Sequence, residues 1–285
     1  MNTLQPRWPA LLLLIIPGAG FIFCFLAAAI AMTFLQSIGL YSLVGESRLT
    51  GKYWQVIFDR TFIDSFLFSL KVGLGSAFGT LIFAYPLALF LRRRGFGTRT
   101  IGSIVKIPLF VPALVAAFLI LNVLAYNGIL NSLLMEFGLI DRPFRMLNDK
   151  FGWNVLVIQI WKNLPFQLLI LASVLQTIRT DIEDAARNLG ASPLRVILHV
   201  TLPLSVPGVL IAIVLVFILT FGDFAITRVA GPVYPSSLSV LMYTDAFTLQ
   251  QWGPAACIGV VIVVTSLLFV GVYARTARAL QEMGR

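Results

Sequence analysis

Four polar residues lie in or beside long apolar runs, where amide and ionisable side chains are unfavourable. Gln159, Lys162 and Asn163 sit close together in one run, near Pro165, and Asp223 lies at the end of the next run. An ionisable residue in a membrane helix is by default a functional candidate, and a proline frees carbonyls that can line a cavity. These four polar residues are therefore predicted to line a solute path. A structural alternative stays open, in which Lys162 pairs with Asp223 or reaches water at the outer half of its span.

A second polar segment, 179–202, separates two apolar runs where a membrane protein needs only a short turn. Thr180 and Glu183 have the spacing of a capping box, which predicts a helix start at Thr180. Gly190 is expected to end this helix in a left-handed conformation, and Ser192-Pro193 is expected to open a second helix.

The first helix of this segment carries a narrow stripe dominated by alanine. Ile182, Ala185, Ala186 and Leu189 recur at helical spacing. A short hairpin of this kind cannot bury itself, so we expect it to dock on a partner outside the membrane.

Residues for catalysis or metal binding are sparse. The single histidine, His199, lies in the hairpin without ligating partners nearby, and Cys24 and Cys257 fall in apolar runs as expected core thiols. The sequence has no Gly-Lys-Ser/Thr phosphate loop. We therefore predict no metal site, no cofactor on this chain, and no ATP hydrolysis by this chain through such a loop.

The elements that position these residues are membrane helices. The chain has 285 residues, of which 59% are hydrophobic and 12% charged, against about 25% charged in soluble domains. Apolar runs near the ~20 residues that span a bilayer predict six transmembrane helices, at 10–35, 72–91, 104–126, 153–178, 203–227 and 254–274.

The net charge of +9 is explained by the membrane rather than by nucleic acid, which is not an expected partner. Twelve basic residues flank the predicted spans at both termini, in the 92–106 loop and in the hairpin, against seven in the longer loops of the other side. The positive-inside rule places both termini and the hairpin in the cytoplasm.

The segment from Asp184 to Pro203 resembles the cytoplasmic signature of permease subunits of ATP-driven (ABC-type) importers. That signature reads Glu-Ala-Ala, three residues, Gly, nine residues, then Ile-x-Leu-Pro. Here Asp184-Ala185-Ala186 is followed at the same spacings by Gly190 and by Val200-Thr201-Leu202-Pro203. Asp184 replaces the usual Glu and Val200 the usual Ile, and both changes keep charge or shape.

The resemblance implies an all-α integral membrane protein with the type I ABC importer permease fold. It implies one transmembrane permease domain over 1–285, with six helices, both termini inside and a cytoplasmic coupling helix. The expected partners are a dimer of ATPase subunits that binds ATP and Mg, a second permease (identical or related), a periplasmic binding protein and the lipid bilayer of a bacterial inner membrane. The docking residues implied are Glu183, Asp184, Ala185, Ala186, Leu189 and Gly190.

Further stretches are similar to the spermidine/putrescine branch of these permeases, among them Tyr85-Pro86-Leu87-Ala88, Asn163-Leu164-Pro165-Phe166 and Phe221-Gly222-Asp223-Phe224. A polyamine is therefore the expected substrate. Gly231-Pro232 and the stretch 243–247 are also similar to sugar and glycerol-phosphate permeases. Lys162 suits an anion better than a polycation, so an anion, a sugar or a glycerol phosphate stays open as the alternative.

Two other classes of membrane protein compete with an importer permease. A secondary transporter or channel is less favoured, because the sequence has no convincing inverted repeat and hardly any acids in its spans. An intramembrane enzyme needs a nucleophile–base or metal constellation in its spans, and the only histidine lies in the hairpin.

Overall fold

The computed structural model describes residues 16–43, 47–92, 95, 97–147 and 149–283, with the side chains of 280–283 excepted. Within these ranges the regular structure is entirely helical. The α-helices are α1 (Phe21–Ser37), α2 (Arg60–Arg92), α3 (Thr98–Ile104), α4 (Ile107–Phe110), α5 (Ala113–Leu124), α6 (Ile129–Glu136), α7 (Trp153–Thr177), α8 (Thr180–Asn188), α9 (Pro193–Val196), α10 (Leu202–Phe221), α11 (Ala225–Ala230), α12 (Leu238–Tyr243) and α13 (Trp252–Met283).

Shorter helical turns join some of these elements. A 3₁₀ helix covers Lys52–Phe58, and π-helical turns cover Ile16–Gly20, Ile197–Thr201 and Thr244–Thr248. The turn at Ile197–Thr201 links α9 directly to α10, so the second arm of the predicted hairpin continues into a membrane helix.

Six helical segments of the described residues are long and apolar enough to cross a membrane, which confirms the predicted number. They are Ile16–Ser37, Arg60–Arg92, Ala113–Glu136, Trp153–Thr177, Pro193–Phe221 and Trp252–Ala279. The fourth matches its prediction closely. Residues 10–15 of the first predicted span lie outside the described residues.

The second span begins twelve residues earlier than predicted, at Arg60 instead of residue 72. The sequence places a lone charge, Lys71, at that point, but no proline lies near it and the helix continues through Gly73 and Gly75. The structure accommodates the Lys71 ammonium over aromatic rings, with Nζ 5.1 Å from the ring centre of Phe68 and 4.2 Å from that of Phe151. Cation–π contacts stabilise the Lys71 charge at this position. Lys71 therefore lies within the helix, and the helix does not begin after it.

The third and fifth predicted spans, 104–126 and 203–227, are interrupted. In the third, α4 ends at Phe110 and α5 begins at Ala113, because Pro112 cannot donate the helical hydrogen bond to the carbonyl four residues earlier. In the fifth, α10 ends at Phe221 and a separate short helix, α11, follows Asp223.

The chain packs as two units. One comprises the described part of 1–59 together with 242–263, and the other comprises 60–241 together with the described part of 264–285. In the first unit, buried Cys257 lies with its Sγ 3.5 Å from the Ser37 carbonyl, which confirms a core thiol. Cys24 is exposed in this chain, so that prediction is wrong for Cys24.

The second unit holds the candidate site. Helices α2, α7 and α10 pack closely there, because α2 presents small residues such as Ala84 and Ala88 to the leucines of α7. One hydrophobic core cluster of this unit consists of Ala84, Ala88, Leu168, Leu171, Leu175, Ile178 and Ala212. This cluster ends at Ile178, immediately before the hairpin, so the hairpin emerges from a buried end of α7.

Candidate functional site

The hairpin begins differently from the sequence prediction. Helix α8 includes Thr180 as its first residue, its N-cap is Arg179, and no side chain caps it. The predicted capping box between Thr180 and Glu183 is therefore wrong. The reason is that Glu183 is engaged elsewhere, on the side of α8 that faces α2.

The end of α8 agrees with prediction. Gly190 has φ +86°, its N–H donates to the Arg187 carbonyl at 2.8 Å, and the Ala191 N–H donates to the Ala186 carbonyl at 3.1 Å. These two bonds make a Schellman motif, in which glycine takes the left-handed position at little cost. A side chain at Gly190 would meet no atom within 4 Å, so the backbone conformation alone requires glycine there.

The second arm also starts as predicted. The Ser192 hydroxyl accepts from the Arg195 N–H at 3.4 Å, and Pro193 is the first residue of α9. Proline at this position lacks only a donor that the helix does not use.

One face of α8 is open. Leu189 is 90% exposed and Ile182 is 45% exposed, while Ala185 between them is exposed and Ala186 is half-buried. The acid of the signature, Asp184, is also exposed and pairs with Arg187 at 2.9 Å on the same helix. The predicted docking residues Asp184, Ala185, Leu189 and Gly190 thus lie at the surface of the chain.

The opposite face of α8 is held by Glu183, which is only 8% exposed. The Arg92 guanidinium, at the end of α2, donates to Glu183 Oε1, and the Thr201 hydroxyl donates to the same oxygen at 2.8 Å. Arg92 also donates to the carbonyl of Ile178 at 2.6 Å. Glu183 therefore differs from the other predicted docking residues, because its carboxylate is used inside the chain.

The electrostatics of this cluster favour an ionised Glu183. Burial raises the pKa of its carboxyl. The hydrogen bonds from Arg92 and Thr201 and the charges of Arg92 and Arg187 lower the pKa by more than burial raises it, so the pKa lies below its ordinary value. Arg187 contributes at longer range, with 3.9 Å between its guanidinium and the carboxylate. The result is a buried ion pair at the base of the hairpin, in which Glu183 Oε1 accepts hydrogen bonds from both Arg92 and Thr201.

Lys162 does not pair with Asp223. Its Nζ donates to the carbonyls of Pro108 at 2.6 Å and Val111 at 2.5 Å, at the break between α4 and α5. Within the described part of the chain, Lys162 has no carboxylate within 4.0 Å. The predicted pairing of Lys162 with Asp223 is therefore wrong, and the backbone carbonyls that Lys162 binds were not predicted.

Asp223 serves the start of α11. Its carboxylate accepts from the backbone N–H groups of Ile226 at 2.9 Å and Thr227 at 3.2 Å. An acid at the positive end of a helix is stabilised in this way. Asp223 is thus a capping residue as well as a candidate path residue.

Gln159 and Asn163 lie in a buried polar row on α7. The Asn163 amide donates to the Gln159 carbonyl at 2.9 Å, to Gln159 Oε1 at 3.1 Å and to the Thr220 hydroxyl at 3.3 Å. Gln167, one turn further, donates to the Ala77 carbonyl at 3.4 Å. These amides connect α7 with α2 and α10, and the assignment of Gln159 and Asn163 to a solute path stays a prediction.

Sequence reasoning did not find Arg92 and Thr201 as site residues. Arg92 reads as part of a basic stop after an apolar run, and it contacts a residue 91 positions away. Thr201 occupies the variable position of the Ile-x-Leu-Pro pattern. No local signal identifies either residue, because Glu183 has the residue type and spacing of a capping box.

Relatives of this chain are permease proteins. It is 25% identical over 227 residues to the spermidine/putrescine transport system permease protein PotB of Escherichia coli (strain K12), covering 79% of this chain and 82% of the relative. It is 28% identical over 207 residues to the molybdenum transport system permease protein ModB of Haemophilus influenzae, covering 68% and 86%.

Solved structures share the fold. A chain of a bacterial alginate ABC transporter, in complex with an alginate-bound periplasmic protein, superposes with a TM-score of 0.75 at 19% identity, covering 96% of both chains. A chain of the MetNI methionine ABC transporter in an inward-facing conformation gives 0.60 at 18% identity, covering 76% of this chain and 95% of that one.

A family model described as binding-protein-dependent transport system inner membrane component matches residues 75–282. That range contains the whole hairpin, with Arg92, Glu183 and Gly190, and five of the six candidate spans in whole or in part. The chain therefore belongs to the binding-protein-dependent transport system inner membrane component family, as a multi-pass permease of the bacterial inner membrane.

Proposed function

We propose that this ABC importer permease binds a separate ATPase through the open face of α8. The observation that carries the proposal is the division of this helix into two sides. Ile182, Ala185 and Leu189 form an exposed apolar face, whereas Glu183 attaches the other side to the chain. A short helix held from one side, with small and apolar residues on the other, is suited to a cleft of a partner protein.

The rest of the assembly follows from the same proposal. ATP and Mg are bound by two copies of the ATPase, and this chain forms the path with a second permease. A periplasmic binding protein delivers the solute from the side opposite the hairpin. The basic residues near the termini and hairpin support an orientation with both termini in the cytoplasm.

Copurification of the ATPase subunit with variants of this permease tests the docking face. Leu189→Asp places a charge on the exposed apolar face, and we expect it to reduce the retained ATPase about tenfold or more, since a lost hot-spot contact has an effect of this size. Leu139→Asp is the matched control. Leu139 is also an exposed leucine, 69% accessible, in the loop predicted to face the other side of the membrane.

The two leucine variants separate docking from a general loss of folding. Both are expected to keep the wild-type elution volume and thermal unfolding midpoint in detergent. If Leu189→Asp retains the ATPase as well as Leu139→Asp does, or if Gly190→Trp leaves assembly and uptake intact, then α8 is not the docking element. A wild-type permease that binds no ATPase would contradict the proposed function altogether.

For the solute we infer a small polar ion, with a polyamine as the first candidate. This choice is supported by the relatives named for spermidine and putrescine, and by the stretches that are similar to that branch. The described spans contain few acids that could bind a polycation, so recognition of a polyamine is expected to depend on the binding protein.

An oxyanion is the second candidate, because of Lys162. An ammonium group has three N–H donors, and Lys162 uses two of them on carbonyls while no carboxylate lies within 4.0 Å among the described residues. The relative named for molybdenum transport is consistent with this chemistry.

The substrate is tested by ATPase activity of the whole complex in proteoliposomes with its binding protein. The panel contains spermidine, putrescine, molybdate, sulfate, a glycerol phosphate and several sugars. Stimulation by polyamines alone supports the first candidate. Stimulation by an oxyanion alone contradicts it and makes Lys162 the first residue to change, whereas stimulation by a sugar contradicts both.

A further inference from the structure

Few side chains attach α8 to the rest of its unit. All nine residues of α8 lie in the described part of the chain, and of these Glu183 alone is buried. Of its hydrophobic residues, Ile182 and Ala185 are exposed and only Ala186 is half-buried, so side-chain packing holds this helix weakly. The carboxylate of Glu183 is therefore the main side-chain link between α8 and the rest of its unit.

Four segments meet at the Arg92–Glu183 ion pair. Arg92 is the last residue of α2, Ile178 precedes the hairpin, Glu183 lies in the first turn of α8, and Thr201 ends the π-helical turn before α10. The Arg92 guanidinium donates to both the Glu183 carboxylate and the Ile178 carbonyl, and the Thr201 hydroxyl also donates to Glu183. A displacement of α8 must therefore move these partners or break the cluster.

Burial makes this cluster stiff. The side chains of Arg92 and Glu183 are 15% and 10% exposed, so water cannot easily replace either partner. Charge-assisted hydrogen bonds are shorter and stronger than neutral ones, and removal of one partner leaves an uncompensated buried charge. By contrast, the ion pairs Arg179–Asp181 at 2.7 Å and Arg187–Asp184 at 2.9 Å are exposed and contribute little.

We infer that Arg92 and Glu183 form a latch that transmits movement of α8 to α2, and that both are positioning residues for transport. This inference rests on the proposed docking of the ATPase to α8. The open face of α8 receives the partner, the latch passes the displacement to the end of α2, and α2 carries it into the membrane. In thermodynamic terms, the latch provides part of the coupling free energy between two distant sites.

The test measures solute imported per ATP hydrolysed, in proteoliposomes with binding protein and ATPase. Glu183→Gln keeps the size of the side chain and removes its charge, and Arg92→Gln removes the other partner. We expect Arg92→Gln to copurify with the ATPase at wild-type levels, and the complexes formed by both variants to hydrolyse ATP. Solute imported per ATP should fall about fivefold or more, the lower end of typical coupling effects.

The double variant distinguishes loss of the latch from general destabilisation of the protein. If the two residues act as one latch, Arg92→Gln/Glu183→Gln has the same transport ratio as either single variant, since one interaction is lost in each case. The matched control is Arg179→Gln/Asp181→Asn, which removes an exposed ion pair from the same end of α8. We expect the control to keep the wild-type ratio.

A milder variant covers the case in which the Glu183 and Arg92 variants fail to fold. Thr201→Val removes only the hydroxyl that donates to Glu183, at a position that is 1% exposed, and a smaller loss in the same direction is expected. An unchanged ratio in all latch variants overturns the inference, and so does loss of copurification in Glu183→Gln with a normal ratio in the complex that remains. Failure of the wild-type permease to bind an ATPase is a different result and contradicts the proposed function itself.

Discussion

Lys162 on α7 donates its ammonium to the carbonyl of Val111, 2.5 Å away and immediately before Pro112. The same group reaches the Pro108 carbonyl, which a helical N–H at position 112 would otherwise serve. The lysine thus supplies donors at the point where a proline removes one. This relationship explains how a break between α4 and α5 persists among apolar helices.

Lys162→Met is predicted to destabilise the protein, because it leaves two partly buried carbonyls without their strongest donor. An unsatisfied buried polar group costs about 1–3 kcal/mol, so we expect a clear fall in the thermal unfolding midpoint in detergent. Lys106→Met is the control, since Lys106 is exposed in the predicted cytoplasmic loop. Equal stability of the two variants would show that the carbonyls do not depend on Lys162.

The number of membrane spans could be predicted from sequence, because hydrophobicity is summed over ~20 residues and needs no knowledge of partners. The same holds for Gly190 and Ser192, whose roles are local. The start of α2 could not be predicted from Lys71, because its aromatic partner Phe151 is 80 positions away in the chain.

Helix α8 likewise has some features that follow from the sequence and others that do not. Its exposed residues, such as Leu189, follow from helical periodicity and the family signature. The place of Glu183 does not, because a capping box and a buried ion pair use the same residue type at the same position. Only the tertiary position of Arg92 decides between them.

The pH dependence of stability is predicted from Glu183. Its pKa in the folded protein lies below the ordinary value of 4.5, because the effects of Arg92, Thr201 and Arg187 together outweigh burial. A depressed carboxyl pKa contributes stability above the unfolded pKa, and this contribution is lost as pH falls through the folded pKa.

Glu183→Gln should therefore lower the unfolding midpoint most at pH 7, and the difference from wild type should shrink below about pH 4.5. Asp181→Asn provides the reference, since Asp181 is exposed beside Arg179. A difference that stays constant from pH 7 to pH 4 would contradict an ionised, stabilising Glu183.

Substitutions at Gly190 are predicted to follow backbone preference and not side-chain size. No atom lies within 4 Å of a side chain at this position, so strain at φ +86° decides the outcome. Gly190→Asn should be tolerated, whereas Gly190→Val should cost about 1–2 kcal/mol. Hydrogen exchange of the Gly190–Ala191 amides measures the effect, and equal protection in both variants would exclude a left-handed cap.

Thr80→Val is predicted to stabilise the protein. The Thr80 hydroxyl is fully buried and has no hydrogen-bond partner among the described residues, so valine removes an unsatisfied group with almost no change of shape. We expect a gain of about 1 kcal/mol in the free energy of unfolding. Thr227→Val should do the opposite, since the Thr227 hydroxyl donates to the Asp223 carbonyl at 2.6 Å and accepts from Ser237 at 2.9 Å.

Gly208→Ala is predicted to destabilise the contact between α10 and α7. A Cβ at Gly208 would lie 2.3 and 2.5 Å from the two methyl carbons of Val174, and since both branches clash, no rotation of the valine relieves the overlap. Overpacking of this kind costs about 1–3 kcal/mol. Gly271→Ala is the control, because a Cβ there meets nothing within 4 Å and alanine favours a helix by up to about 1 kcal/mol. The two alanine variants should therefore shift the unfolding midpoint in opposite directions, and a shift of the same sign in both would mean that α7 and α10 are not in close contact at Gly208.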